Sequence, residues 1–294
     1  MTSLQHSSPA AHEVRWLFHT TAMVRDYAVT LEALQRLVGC RPLEDHVLDD
    51  PAVGRRGGMT WIGDNSLELG EPTLATGAVA RTIERFGSHM SSVAVQVADI
   101  EATIAHLGAV GVRVASRVED FLFTDPRHTA GVVIEWYGQE APNDPRFGTV
   151  MPPYAVPPLL DVTHMAFAGA VVADPVADAH RLAEVFGTAI TFLDESAPLG
   201  SPRAGVSLGD NTLALFGLPE PAESEALWGH VYGRPQTSSQ GVLVPSLPEA
   251  LAALRDAGVP LVRHDDTQIV IDPAHTGGVV LVVVDQFLLG DPRG

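Results

Sequence analysis

Apolar and polar positions along the chain fall into blocks that switch between the period of two expected of a strand and the period near 3.6 expected of a helix. Val14-Arg-Trp-Leu-Phe-His-Thr-Thr-Ala-Met-Val24 reads as a strand. Asp26 then stands at an N-cap position before Leu31, Leu34, Leu37 and Val38, with Gly39 as the stop, which predicts a helix. Two short extended segments follow, and Gly58-Met-Thr-Trp-Ile-Gly-Asp-Asn-Ser-Leu-Glu-Leu69 predicts a hairpin turning at Gly63-Asp64-Asn65. The order then restarts. Ser91 to Val97 is a strand, Asp99 caps a helix carrying Ile100, Ile104 and Leu107, Gly111 ends it, and later strands close on Glu135.

The same plan is written again further on. His164 to Val172 is a strand, Asp174 opens a helix with Leu182, Val185 and Phe186, and Gly187 stops it. The turn Gly209-Asp-Asn-Thr-Leu-Ala-Leu215 repeats Gly63-Asp-Asn-Ser-Leu-Glu-Leu69, and Leu247, Leu251, Leu254 and Gly258 match Ile100, Ile104, Leu107 and Gly111 at a constant offset of about 147 residues. Between the copies, Gly138 to Pro158 concentrates proline with Asn143, Asp144 and Gly148. The pattern therefore predicts an α+β chain of two homologous domains, 12–140 and 160–288, joined by a Pro-rich linker at 141–159, each domain made of two strand-helix-strands units.

Candidate chemistry emerges from comparing the copies. Asp125-Pro-Arg-His-Thr-Ala-Gly-Val-Val-Ile-Glu-Trp-Tyr137 recurs as Asp272-Pro-Ala-His-Thr-Gly-Gly-Val-Val-Leu-Val-Val-Val284. In both, a turn feeds a run of β-branched residues that reads as a buried strand. Glu135 in the first corresponds to Val282 in the second. A carboxylate in such a strand is costly unless it is paired or binds a cation, so Glu135 is read as functional. His128 and His275 sit in both turns and are read as turn-stabilising, and the His-Met pairs at His89 and His164 as structural. Trp61, Trp136 and Tyr137 are either a pocket wall or core packing, and Arg55-Arg56-Gly57-Gly58 reads as an exposed loop in preference to an anion site.

Composition narrows the partners. The 294 residues carry a formal charge of -18, which argues against nucleic acid and against an anionic membrane surface. Cys40 is the single cysteine, so neither an internal disulfide nor a cysteine-based zinc cluster is available. Residues 1–11 are polar and expected to be loose, the aliphatic run Val279 to Val284 is too short to span a bilayer, and a cytoplasmic location is expected. Neither a phosphate-binding glycine loop nor a nucleophile elbow occurs.

The four-fold use of a βαβββ unit, the His19 strand running into Val24-Arg-Asp26, and the glutamate-bearing last strand after Asp-Pro-x-His-Thr-x-Gly resemble the vicinal oxygen chelate superfamily. Its members include epimerases, glyoxalases, drug-sequestering proteins and extradiol dioxygenases. The resemblance implies paired modules curled into open glyoxalase-like barrels, with metal ligands from the first and last strands of each module. Position by position it implies His19, Glu68 in Leu67-Glu-Leu69, and Glu135 in Gly-Val-Val-Ile-Glu as ligands. The fourth ligand position falls at Ser92 or Ser91, neither a good ligand for a divalent cation, and a bulge would be needed to bring His89 there. In the C-terminal domain the equivalents are Phe167, Ala214 and Val282, all apolar, which excludes a metal there. Two-domain dioxygenases of this layout keep their iron in that domain.

The resemblance thus implies a site in the N-terminal domain, holding one divalent ion of Mn, Fe, Co, Ni, Zn or Mg. The implied activity is that of an isomerase, epimerase or lyase moving a proton next to a carbonyl of a small molecule with vicinal oxygens, with Glu135 as ligand and base and Glu68 as the alternative base. An extradiol-type dioxygenase and a non-catalytic drug-sequestering protein are the alternatives. Duplication fills the place of a second subunit, so a monomer or a homodimer is expected.

Overall fold

A computed structural model of the chain describes residues 11–50, 54–140, 144–148, 151–197, 200–218 and 236–294, without the side chains of 44–50. The first ten residues, expected to be loose, and residues 141–143 and 149–150 of the expected linker lie outside the described residues. The first half runs β1 (Val14–Met23), α1 (Tyr27–Val38), β2 (Arg41–Asp50), β3 (Arg55–Ile62), β4 (Asn65–Pro72), α2 (Ala78–Phe86), β5 (His89–Val97), α3 (Ile100–Ala109), β6 (Val114–Val118), β7 (Phe121–Thr124) and β8 (Val133–Tyr137). The second half runs β9 (His164–Val172), α4 (Pro175–Phe186), β10 (Ile190–Leu193), β11 (Ala204–Ser207), β12 (Thr212–Gly217), β13 (Gln236–Leu243), α5 (Leu247–Asp256), β14 (Leu261–His264), β15 (Ile269–Ile271) and β16 (Leu281–Val284). The strands form two open eight-stranded sheets, ordered β2-β3-β4-β1-β5-β8-β7-β6 and β10-β11-β12-β9-β13-β16-β15-β14. Each sheet is two βαβββ modules joined antiparallel through their first strands, β1 to β5 and β9 to β13.

Local chemistry accounts for the elements. Asp26, Asp99 and Asp174 each accept a backbone N–H of the helix they precede, and Gly39 and Gly187 take the left-handed conformation that stops α1 and α4. Helix α2 has no counterpart in the sequence pattern. It starts at Gly77 without a side-chain cap, so it lacks the capping aspartate that marks α1, α3 and α4, and it buries only Ile83. Arg55 and Arg56 are not in an exposed loop but on strand β3, where their side chains take opposite faces.

Sheet register reproduces the internal alignment. Glu68 lies opposite Thr21 where Ala214 lies opposite Gly169, and Glu135 lies opposite Ala94 where Val282 lies opposite Gly241. On β1, Leu17 faces Val95 and His19 faces Ala94, which leaves Phe18 as the extra residue of a β-bulge. Ala166 takes the same place on β9. A bulge frees carbonyls from the ladder, and each is satisfied by an arginine from the end of its own domain. Arg146 donates to the carbonyls of Leu17 (2.9 Å) and Phe18 (3.3 Å), and Arg293 to those of Met165 (2.8 Å) and Ala166 (3.0 Å). Both belong to Asp-Pro-Arg turns in which the aspartate, Asp144 or Asp291, holds the guanidinium in place.

The two domains share their cores. One cluster joins Leu17, Val93, Leu107 and Trp136 to Met165, Leu182, Phe186 and Leu213, and the other joins Leu34, Leu37 and Leu67 to Leu254, Ile269 and Leu281. The two Gly-Asp-Asn turns fasten the domains reciprocally: Asp210 accepts the N–H of Leu17 and Asp64 that of Met165, both at 2.8 Å. Gly209 must be glycine here, since its φ is positive and an added Cβ would stand 2.3 Å from the Arg15 carbonyl oxygen. Among the described residues no helix is long and apolar enough to cross a membrane.

Burial pushes the Asp210 carboxyl up to about 6, against the pull of the Leu17 N–H and of Arg146 and Arg293. A pKa raised on folding adds stability that is complete below the unfolded value and is lost as the pH rises through the folded one. Asp210→Asn keeps an acceptor for Leu17 but does not titrate. The fall in melting temperature from about pH 4 to about pH 7 should therefore be smaller in the variant than in the native chain, as read by circular dichroism. Equal slopes would show that this carboxylate is not strained by the domain contact.

Candidate metal centre

His19, Glu68 and Glu135 come from β1, β4 and β8, and all three are buried. Their nearest ligand-type atoms all lie within 4.8 Å of one another, the arrangement of a site for one ion. The strand geometry explains the convergence. β4 and β8 flank the first-strand pair, each parallel to its partner, and the bulge at Phe18 sets which side of β1 His19 takes. His19 Nε2 lies 3.3 Å from Glu68 Oε2 and 4.0 Å from Glu135 Oε2.

Two hydroxyls and a phenol arrange the carboxylates. Thr21 Oγ1 bridges them, 3.2 Å from Glu68 Oε2 and 3.3 Å from Glu135 Oε1. Ser92 donates to Glu135 Oε1, and the Tyr137 hydroxyl donates to Oε2 at 3.3 Å. The other oxygen of Glu68, Oε1, pairs with Arg55 Nη2 at 2.6 Å. Thr21 is a site residue that the sequence reading misses, although the period of two along β1 puts it on the face of His19. Phe18, Met59 and Ala94, with Leu43 and Tyr137, form an apolar wall beside the group.

The two glutamates differ electrostatically. Burial pushes both upward, but for Glu68 the facing imidazole and the Arg55 guanidinium outweigh it and hold the carboxyl below its ordinary range. For Glu135 burial prevails, helped by the negative charge of Glu68 and only partly offset by His19 and Ser92, so its carboxyl lies above the ordinary range. Burial also raises the Tyr137 hydroxyl, with Glu135 adding to it, which keeps that group a proton donor.

The donors fit a divalent cation. Both ring nitrogens of His19 are buried without a hydrogen-bond partner, an expensive state for an imidazole whose Nε2 already faces two carboxylates. Three donors of mixed nitrogen and oxygen type would hold such an ion and leave positions for water or substrate. The twin domain presents the opposite. Phe167, Ala214 and Val282 lie in one apolar cluster with Phe216, and a Cβ added to Gly241 would stand 2.4 Å from the Phe167 ring.

The remaining candidates separate cleanly. The β5 bulge exists and falls at Ser91, but it does not bring His89 into the group; its Nδ1 bonds the Gly87 carbonyl at 2.8 Å. Ser92 lies in the site as a hydrogen-bond donor to Glu135. Trp136 is core, fully buried on the other face of β8, whereas Tyr137 lines the site. His128 Nδ1 lies 2.9 Å from the Gly111 carbonyl oxygen, tying its turn to the end of α3.

Glu135→Gln should have opposite effects with and without metal. In chelator-treated protein at about pH 8 it removes a buried charge and should stabilise the chain, each unit of pKa elevation being worth about 1.4 kcal/mol. With saturating manganese it should be less stable than the native chain, because it loses a ligand. Thermal denaturation under both conditions checks the crossing. The same sign in both would place Glu135 outside any metal shell.

No known protein family matches the sequence, and no curated protein does. Among solved structures the chain is similar to a triple mutant of 4-hydroxymandelate synthase from Streptomyces coelicolor, at 15% identity and a TM-score of 0.68, over 95% of this chain and 96% of that one. Methylmalonyl-CoA epimerase from Mycobacterium tuberculosis aligns over 47% of this chain and 95% of its own, at 23% identity and a TM-score of 0.40. The sheet order and the nearly end-to-end superposition on the synthase show that this chain has the fold of the vicinal oxygen chelate superfamily, in its two-domain form with four βαβββ modules.

Proposed function

We propose that the protein is a divalent-metal-dependent enzyme that moves a proton next to a carbonyl of a small molecule bearing neighbouring oxygens, as an isomerase, epimerase or lyase. The observation that carries this reading is the burial of two carboxylates and one imidazole that makes no hydrogen bond, in one domain, at positions where its twin holds hydrocarbon. The working part is the N-terminal domain, 12–140, with the C-terminal domain, 160–288, as its packing partner. His19, Glu68 and Glu135 would hold the ion, which is one of Mn, Fe, Co, Ni, Zn or Mg. Bound there, it supplies Lewis acidity to the substrate oxygens.

The protein's own groups do the rest. His19 and, after it, Arg55 hold the Glu68 carboxyl low, and Arg55 anchors one of its oxygens, which suits a fixed ligand. Among the described residues no guanidinium pairs with Glu135 as Arg55 does with Glu68; Ser92, Thr21 and Tyr137 hold it, His19 Nε2 stands 4.0 Å from its Oε2, and its raised pKa suits a group that accepts a proton and gives it back. The wall of Phe18, Met59 and Tyr137 keeps water away from that exchange. A dioxygenase ranks second because its usual set is two histidines and one carboxylate, the reverse of this one.

Deuterium should wash from heavy water into the carbon next to the carbonyl of a turned-over substrate, and Glu135→Gln should slow this by about 100-fold or more without loss of fold. Oxygen consumption in place of exchange would favour the dioxygenase. A fully stable chain that takes up no ion would favour a binding protein.

A further inference from the structure

Arg55 anchors Glu68, and its guanidinium offers more than that one contact uses. Its neighbour Arg56 faces outward, 67% exposed, and pairs with Glu71, whereas the Arg55 side chain is only 19% exposed and turns inward to Glu68 Oε1. Room for it is built in. A Cβ on Gly70 would stand 3.0 Å from the Arg55 Cδ and 3.1 Å from the Met23 sulfur. Only part of the guanidinium is used: Nη2 holds Glu68, while Nε is buried with no hydrogen-bond partner. Extending the β11 register, in which Ala204 opposite Leu215 matches Gly58 opposite Leu69, puts Ser201 at the place of Arg55. The twin domain has thus dropped the cation together with the three ligands.

Charge decides what this cation is for. Glu68 and Glu135 bring two negative charges and Arg55 one positive, with the imidazole neutral as a metal ligand must be. The set is one charge negative alone and one charge positive with a divalent ion. In a water-poor site that surplus is costly until an anion joins it. A neutral substrate would leave it uncompensated. A guanidinium with unused N–H groups also matches the planar geometry of a carboxylate.

We propose, resting on the metal-dependent reading above, that Arg55 is the specificity-determining residue of the site and selects a small monoanionic acid, whose carboxylate lies against the guanidinium beside the carbonyl that reacts. Its neutral ester or alcohol counterpart is then a poor ligand. Glu68 shares the guanidinium with the incoming carboxylate, so the residue that fixes a metal ligand also reads the substrate's charge.

The test uses the full-length protein, with manganese uptake measured first for the native chain, Arg55→Gln and Arg55→Lys. Pyruvate and methyl pyruvate, which share the carbonyl and differ in charge, are then titrated calorimetrically. The native protein should bind pyruvate at least about tenfold more tightly than its ester, Arg55→Gln should lose that preference while still binding manganese, and Arg55→Lys should keep part of it, since a lysine is a point charge without the planar fork. Equal binding of acid and ester by the native protein, or unchanged pyruvate affinity in Arg55→Gln, overturns the inference and leaves the metal reading standing. If the native chain takes up no manganese, the metal reading falls. The inference falls with it, because without the ion the two carboxylates outweigh Arg55 and nothing favours an anion there.

Discussion

Two carboxylates held within ligand distance of each other, out of water and facing one imidazole, are the constraint on which the N-terminal domain turns. Such a set is unfavourable as bare charge, and every neighbour bears on it. Arg55 neutralises one oxygen of Glu68, Thr21 stands between the two glutamates, and Ser92 and Tyr137 hold Glu135 from either end. These contacts also make the glutamates unequal. One carboxyl is held below its ordinary range and the other above it, so the two differ in how readily they take a proton.

The second domain shows the same backbone without that constraint. With glycine at 241 the Phe167 ring lies close against the neighbouring strand, and with glycine at 169 the Ser239 hydroxyl fills the space a side chain would need: an added Cβ would stand 2.1 Å from it. Installing the site there would require exchanging Phe167, Ala214 and Val282, restoring a bridging hydroxyl at 169 and supplying a cation at 201. No single substitution moves part way with benefit, because each isolated polar group would be buried without its partners. The hydrocarbon filling is therefore a stable alternative, an apolar cluster of the second domain's own beside the cores that the two domains share.

Much of this is legible in the residues taken in order. Capping aspartates, stop glycines and hydrophobic periods mark the modules, and the offset between the copies sets the register, because a two-residue period allows no slip without turning the core outward. The contrast of Glu135 with Val282 points to the site for the same reason. Other features leave no such trace. Helix α2 begins at a glycine and buries little. Arg55 lies in an Arg-Arg-Gly-Gly run whose composition mimics a loop, although the glycines serve strand packing, as the contact a Cβ on Gly57 would make with the Leu69 carbonyl oxygen at 1.9 Å shows. Ser92 looks like a failed metal ligand in the sequence because its role lies in bonding to a glutamate from another strand. The aspartates of the Gly-Asp-Asn turns look like ordinary turn residues until the opposing domain is in place.

The bulge at Phe18 links these levels. His19 has its place in the site because β1 carries one residue more than β5 at this point, and the carbonyls this releases are bound by Arg146, whose Asp-Pro-Arg turn lies in a stretch that composition marks as a linker. Arg146 also stacks over Trp16, Phe18 and Trp61, so its guanidinium is restrained by three rings and by Asp144. The Asp291-Pro-Arg293 turn does the same for the bulge in β9, where there is no site to serve. That control assigns the latch to the architecture first. The bulge is a fixed property of each domain, the latch is what it costs to keep it, and His19, Glu68 and Glu135 converge in the first domain on a backbone that the second domain bends in the same way.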